Sequence, residues 1–240
     1  MQGAGVGKFA RAKSSDYDMR NTDIFLLQET GNPGNGGFEK GKYYYFMGEP
    51  YYCGIVCTDP TAITLRCTNA VLIRASLATW ASSFGAIEIV GHRYIPYVVY
   101  RDIVFASIHA PATDDPLFVI DAVDRIDNFR PGYPWVLMGD YNTDPLSIVP
   151  TGTRSDTVNH VYLRGTASRP QLPCLLIYPY GKTQGPDWKR GRRLDYAFLS
   201  DSLSRYRVWG VVNSRIYESP NPNPAKYLSD HNMVAIQIGI

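Results

Sequence analysis

Near the middle of the chain the sequence runs Trp135-Val136-Leu137-Met138-Gly139-Asp140-Tyr141-Asn142. Four consecutive apolar residues have the length of a buried strand, and the glycine and polar residues after them mark its end. The segment reads as a core strand that hands an acid and an amide to whatever lies at its tip. Four more segments repeat the design: Leu27-Gln28-Glu29-Thr30, Ser107-Ile108-His109-Ala110, Arg193-Leu194-Asp195-Tyr196 and Ser229-Asp230-His231-Asn232.

Outward from these segments the pattern is strand-rich. Apolar runs at 22–28, 43–47, 53–57, 63–67, 69–74, 86–90, 97–100 and 103–108 each have strand length. One helix is expected. Asp115 can cap it, Pro116 suits its first position, and Leu117, Ile120, Val123, Ile126 and Phe129 recur on one side before Pro131. Late strands are expected at 194–199, 208–212 and 234–238, with long polar loops at 151–173 and 179–193. No repeat, low-complexity tract or linker divides the chain. The expectation is one domain over residues 1–240, of α+β class: a two-sheet β-sandwich flanked by helices, in four layers.

Composition narrows the function. Lys+Arg is 24 against Asp+Glu 22, a formal net charge of +2. Bulk charge therefore does not hold a polyanion, and any such partner must meet a local patch. Arginine outnumbers lysine 17 to 7, which favours forked contacts to phosphate. No apolar run reaches the length of a membrane span, and no signal peptide is visible. The cysteines Cys53, Cys57, Cys67 and Cys174 have no zinc spacing. One disulfide among the first three is allowed, but buried free thiols are the expectation. The tyrosines at 43–45, 51 and 52 read as strand packing, and His92 and His160 as structural.

The five strand-end segments supply a Glu, three Asp, an Asn and two His. Carboxylate oxygens suit a hard cation such as Mg²⁺, and imidazoles move protons near neutral pH. That inventory fits metal-assisted cleavage of a phosphate ester. No Gly-x-Ser-x-Gly elbow or Cys/His pattern points to acyl transfer.

Taken in order, Gln28-Glu29, Ser107-x-His109, Gly139-Asp140-x-Asn142, Arg193-Leu194-Asp195-Tyr196 and Ser229-Asp230-His231 resemble the endonuclease/exonuclease/phosphatase (deoxyribonuclease I-like) superfamily over nearly the whole chain. Met1-Gln2-Gly3, the Ser-x-His-Ala form, Arg66 and Arg93 are similar to the branch formed by the catalytic B subunit of cytolethal distending toxins. The resemblance implies Glu29 as main Mg²⁺ ligand with Asp230 close by, and Mn²⁺ or Ca²⁺ in support. It implies His231, held by Asp195, activating water, and His109 donating to the phosphate or leaving oxygen. Asp140 and Asn142 would position water and phosphate, and Arg66 and Arg93 would grip phosphate. Lys189, Arg190, Arg192 and Arg193, just ahead of Asp195, are candidates for DNA-backbone contacts.

The resemblance implies a Mg²⁺-dependent DNA endonuclease. A phosphoinositide phosphatase on the same scaffold and an inactive binding domain are the alternatives. Arg192-Arg193-Leu194-Asp195 stands where inositol phosphatases carry Trp-Cys-Asp-Arg, which favours the nuclease. The toxin branch further implies secretion, delivery subunits and action in a target-cell nucleus. One departure stands out. The family opens with a strand whose metal-binding Asn precedes the residues matching Met1-Gln2-Gly3; the expectation is either that this sequence omits that strand or that the protein has lost it. Gly5, Gly7 and Ser14-Ser15 leave room only for a brief first helix.

Overall fold

Along Thr68–Arg74 consecutive residues enter different cores: Ala70 and Leu72 pack on one side, Val71 and Ile73 on the other. A strand covered on both faces reads as an unbroken apolar run, and it lies between layers. The computed structural model describes residues 6–14, 19–31, 33–58, 68–89, 93–149, 152–164, 171–180, 183–184, 192–214, 216–218, 231 and 233–239.

In chain order the first elements are α1 (Val6–Arg11), β1 (Ala12–Ser14), β2 (Ile24–Leu27), β3 (Tyr43–Phe46), β4 (Glu49–Thr58), β5 (Thr68–Arg74) and α2 (Ala75–Ala78). Next come β6 (Ala81–Ile89), β7 (Arg93–Tyr100), β8 (Ile103–His109), α3 (Pro116–Phe129) and β9 (Trp135–Asp140). The last are β10 (Asn159–Arg164), β11 (Gln171–Ile177), β12 (Asp195–Ser200), β13 (Arg207–Ser214), β14 (Ile216–Glu218) and β15 (Met233–Gly239). A seven-stranded sheet has the order β10-β11-β12-β9-β8-β7-β6, and a four-stranded sheet the order β2-β5-β4-β3. β13 pairs with β15 and β1 with β14. Among the described strands every pairing is antiparallel except β8 with β9, which are parallel and joined through α3.

Four layers result. Helix α3 packs on the outer face of the large sheet through Val119, Ala122, Val123 and Ile126. That sheet's inner face meets the four-stranded sheet through Val98 and Tyr100, and meets β13 and β15 through Val136, Ala197 and Leu199. Helix α1 covers the other side of the four-stranded sheet, with Phe9 set among Phe25, Phe38, Phe46 and Tyr51. The expected α+β sandwich flanked by helices is the observed fold.

Details depart from the sequence reading. Asp115 does cap α3, its Oδ1 accepting the Leu117 N–H at 3.0 Å. Leu117 itself is 74% exposed, and the buried face starts at Phe118 and Val119 instead. The polar stretch 151–173 is not all loop: β10 lies inside it and β11 begins there, a hairpin whose Val161, Leu163, Leu172 and Cys174 are buried. Alternation with Tyr162, Arg164 and Gln171 hid those strands. Cys53, Cys57 and Cys174 are free thiols. Burial pushes the Cys53 thiol up to about 12 and that of Cys57 to about 11. The segment 63–67, which contains Cys67, and His92 lie outside the described residues. His160 is exposed and lies 3.3 Å from Asp201. Tyr44 and Tyr51 pack in the core, whereas Tyr43 and Tyr45 are exposed on β3, an edge strand.

Among the described residues β2 and β15 each have a strand partner on one side only, and they do not pair with each other. Both line a cavity of about 720 Å³ that also touches Phe105, Val136 and Met138 of the large sheet. β2 runs toward Glu29 and β15 runs away from His231, so the cavity extends from the end where the five segments converge toward the opposite end of the sandwich.

Candidate active site

Sheet register builds the site. On adjacent strands, His109 of β8 pairs in register with Asp140 of β9, and Asp140 with Asp195 of β12. Side chains opposite one another on neighbouring strands share a face. Phe105, four residues along from His109, and Met138 and Ala197, two along from Asp140 and Asp195, face the inner layer, so His109, Asp140 and Asp195 do too. The fold thus sets three residues from distant stretches of sequence side by side at the mouth of the sandwich.

Glu29 arrives from the second sheet. Phe25 and Leu27 face the α1 side, and strand alternation alone would send Glu29 there as well. Its backbone turns left-handed instead, at φ 52°. The turn brings its Oε1 to 4.0 Å from His109 Nε2. A non-glycine residue held in that region is strained, and such strain persists where surrounding contacts fix it. Asn142 is left-handed too, at φ 51°. Its amide N–H donates to Asp140 Oδ1 at 2.9 Å and its Nδ2 to Ala110 O at 2.8 Å.

His231, immediately ahead of the Met233–Gly239 strand, is buried and stands 2.7 Å from Asp195, Nδ1 to Oδ2. Its Nε2 lies 3.9 Å from Asp140 Oδ2, and His109 Nε2 lies 3.8 Å from the same oxygen. One buried carboxylate oxygen is thus flanked by two imidazoles. Burial first, then the charge of Asp195, push the Asp140 carboxyl up to about 7, against the opposing pull of His231. Among the described residues no hydrogen-bond donor reaches Asp140 Oδ2. A buried carboxylate oxygen without a donor is costly, and a cation relieves that cost.

A hard divalent cation fits this donor set. Ligand atoms of Asp140, Asp195 and His231 lie within 4.8 Å of one another. Asp195 Oδ2 and His231 Nδ1 are engaged with each other, which leaves the buried Asp140 and the partly exposed Glu29 as the carboxylates nearest His109. Asp230, Arg66, Lys189 and Arg190 lie outside the described residues.

Arg93 is present at the rim, its NH1 donating to His109 O at 2.9 Å. Arg193 is half-buried, 3.6 Å from Asp144 and stacked over Tyr178, while Arg192 is exposed. Sequence reasoning missed the supports. Gln28 Nε2 donates to Ser107 Oγ at 2.7 Å, a buried bond that ties the two sheets together directly beneath the site. Gly139, at φ 152°, lets the strands approach there: a Cβ on it would lie 2.1 Å from Ile108 O and 2.9 Å from Gln28 Nε2. Tyr141 stacks on Tyr196 at 4.1 Å and anchors the turn that carries Asp140 and Asn142.

The sequence profile of the endonuclease/exonuclease/phosphatase family matches residues 4–231. The fold is similar to that of the Haemophilus ducreyi cytolethal distending toxin, with a TM-score of 0.59 and 19% identity over 92% of this chain and 86% of that one. It is similar to the toxin from Actinobacillus actinomycetemcomitans, with a TM-score of 0.56 and 18% identity over 92% and 87%. A 3′ phosphatase, NExo, from Neisseria, bound to a product DNA hairpin, gives a TM-score of 0.52 and 11% identity over 92% and 91%. No curated protein matches the sequence. At these identities the solved structures speak for the fold, and the profile, which spans nearly the whole sequence, speaks for the family. This chain belongs to the endonuclease/exonuclease/phosphatase family.

Proposed function

We propose that this protein is a metal-dependent phosphodiesterase that cleaves DNA, an endonuclease of the cytolethal distending toxin B subunit type. One observation carries the reading: His109 Nε2 and His231 Nε2 flank Asp140 Oδ2 at 3.8 and 3.9 Å, and His231 is held through Nδ1 by Asp195 at 2.7 Å, whereas His109 Nε2 lies 4.0 Å from Glu29 Oε1. Two imidazoles in unlike settings suit a base and an acid on either side of one phosphorus.

Asp195 holds the His231 Nδ1–H, so Nε2 is the atom that takes a proton from the attacking water. His109 Nε2 donates to the phosphate or to the leaving oxygen. Asn142, fixed through its Nδ2 on Ala110 O, orients its carbonyl toward water or phosphate. Glu29 with Asp230, and Asp140 beside them, would hold Mg²⁺, with Mn²⁺ or Ca²⁺ in support. Such an ion supplies stabilisation of charge on the phosphate oxygens. Arg66, Arg93 and the cations Lys189, Arg190, Arg192 and Arg193 serve the DNA backbone.

The toxin likeness carries with it delivery subunits and action in a target-cell nucleus.

Conversion of supercoiled plasmid to open circle with Mg²⁺, with and without chelator, tests the reading. Chelator-sensitive nicking supports it. Release of phosphate from a phosphoinositide without nicking would select the lipid phosphatase instead, and neither activity would select a binding domain.

A further inference from the structure

Thr183 belongs to none of the five segments, yet it touches the backbone of one and adjoins that of another. It is buried, at 1% exposure. Its Oγ1 accepts the N–H of Leu194 at 2.9 Å and the N–H of Asp195 at 3.0 Å. Its own hydroxyl proton points to Arg192 O at 3.5 Å, and its amide N–H donates to the same carbonyl at 2.9 Å. A hydroxyl has two acceptor sites and one donor, and all three are engaged here.

The next residue completes the arrangement. Gln184 forms an antiparallel bridge with Arg192 on one side and with His231 on the other. Residues 183–184 therefore lie between the backbone that carries Asp195 and the backbone that carries His231. The 2.7 Å contact of His231 Nδ1 with Asp195 Oδ2 spans two segments that are far apart in sequence, and 183–184 form a backbone link between them. Leu194 is fixed from a second direction, since its carbonyl accepts the Tyr141 N–H at 2.8 Å.

We infer that Thr183 is a positioning residue for the Asp195–His231 pair: its hydroxyl sets the backbone of Asp195, and through it the carboxylate that orients His231. Thr183 touches neither substrate nor metal. The inference rests on the phosphodiesterase reading for its kinetic consequence, but not for its structural one.

Two variants test it. Thr183→Val keeps the shape and removes the acceptor, leaving two buried N–H groups unpaired. Thr183→Ser keeps the acceptor. Support for an orienting residue of this kind is a fall in kcat of about 10–100-fold for Thr183→Val, with KM unchanged and with Thr183→Ser within about threefold of wild type. The low-field proton resonance of His231 Nδ1–H, read by NMR, should shift or vanish in Thr183→Val and stay in Thr183→Ser. An unchanged resonance in Thr183→Val overturns the inference, as does a loss that serine fails to restore. Should Thr183→Val not fold, hydrogen exchange of the wild type decides. Leu194 and Asp195 amides as slow as the core of β12 support the role, and fast exchange at either overturns it. The resonance and exchange measurements need no turnover, so absence of nicking by the wild type would sink the proposed function and leave this assignment standing.

Discussion

His231 Nδ1 stands 2.7 Å from Asp195 Oδ2, and both residues are buried. A carboxylate in that position fixes which ring nitrogen carries the proton and supports the positive charge the ring acquires. Asp195→Asn removes that support and changes little in shape. The expected result is a fall in kcat of about two to four orders of magnitude with KM nearly constant, measured on plasmid or oligonucleotide cleavage. A rise in KM at unchanged kcat would mean that the pair binds substrate and does not move protons.

Asp140 gives the site a pH signature. Its carboxyl is raised from 3.8 to about 7, first by burial and then by Asp195. Between those two values the folded protein retains a proton that the unfolded chain loses. The stability contributed is present below about 4 and is lost as pH rises through about 7, at up to about 1.4 kcal/mol per unit. Asp140→Asn stays neutral throughout. In chelator-treated protein its melting temperature should exceed that of wild type at pH 8.5 by a margin that shrinks at pH 5, while activity is lost. The same difference at both pH values would contradict the account.

Gly139 marks where the sheet register leaves no room. The Cβ of Gly139→Ala would meet backbone, Ile108 O, at 2.1 Å, and backbone cannot swing aside as a side-chain tip can. A loss of about 3 kcal/mol by denaturant unfolding is expected. Gln28→Leu removes the inter-sheet hydrogen bond to Ser107 together with the one to Leu26 O and should cost about 1–3 kcal/mol. An alanine variant as stable as wild type would mean that the β8–β9 register is looser than the strand pairing implies.

Much of this was legible because buried strands announce themselves. Trp135–Met138 and the run before Glu29 are too apolar to be anything but covered, and the polar residues directly after each had to lie at a sheet end. The sandwich and the convergence of Glu29, His109, Asp140, Asp195 and His231 come from that logic. The hairpin at Asn159–Ile177 was not legible, since its buried residues alternate with Tyr162, Arg164 and Gln171 and mimic a polar loop. Nor was the inward turn of Glu29, because strand alternation assigns it to the wrong face and only its φ of 52° corrects this. Thr183 carries no local signal at all: its role arises from pairing with residues around 192–195, a non-local fact. By resemblance Asp140 reads as a residue that positions water and phosphate, whereas the structure buries it beside two imidazoles in a cluster with Asp195 and His231 that could hold a metal ion.

The central claim is that His109 and His231 do acid and base chemistry on a DNA phosphate, and plasmid nicking by the single-alanine variants tests it most directly. Wild-type protein with Mg²⁺ should convert supercoiled plasmid to open circle and stop when chelator is added. His231→Ala and His109→Ala, each folded by circular dichroism, should fall at least about 100-fold below it. Nicking that survives both substitutions at the wild-type rate, or a wild type that does not nick at all, would contradict the account.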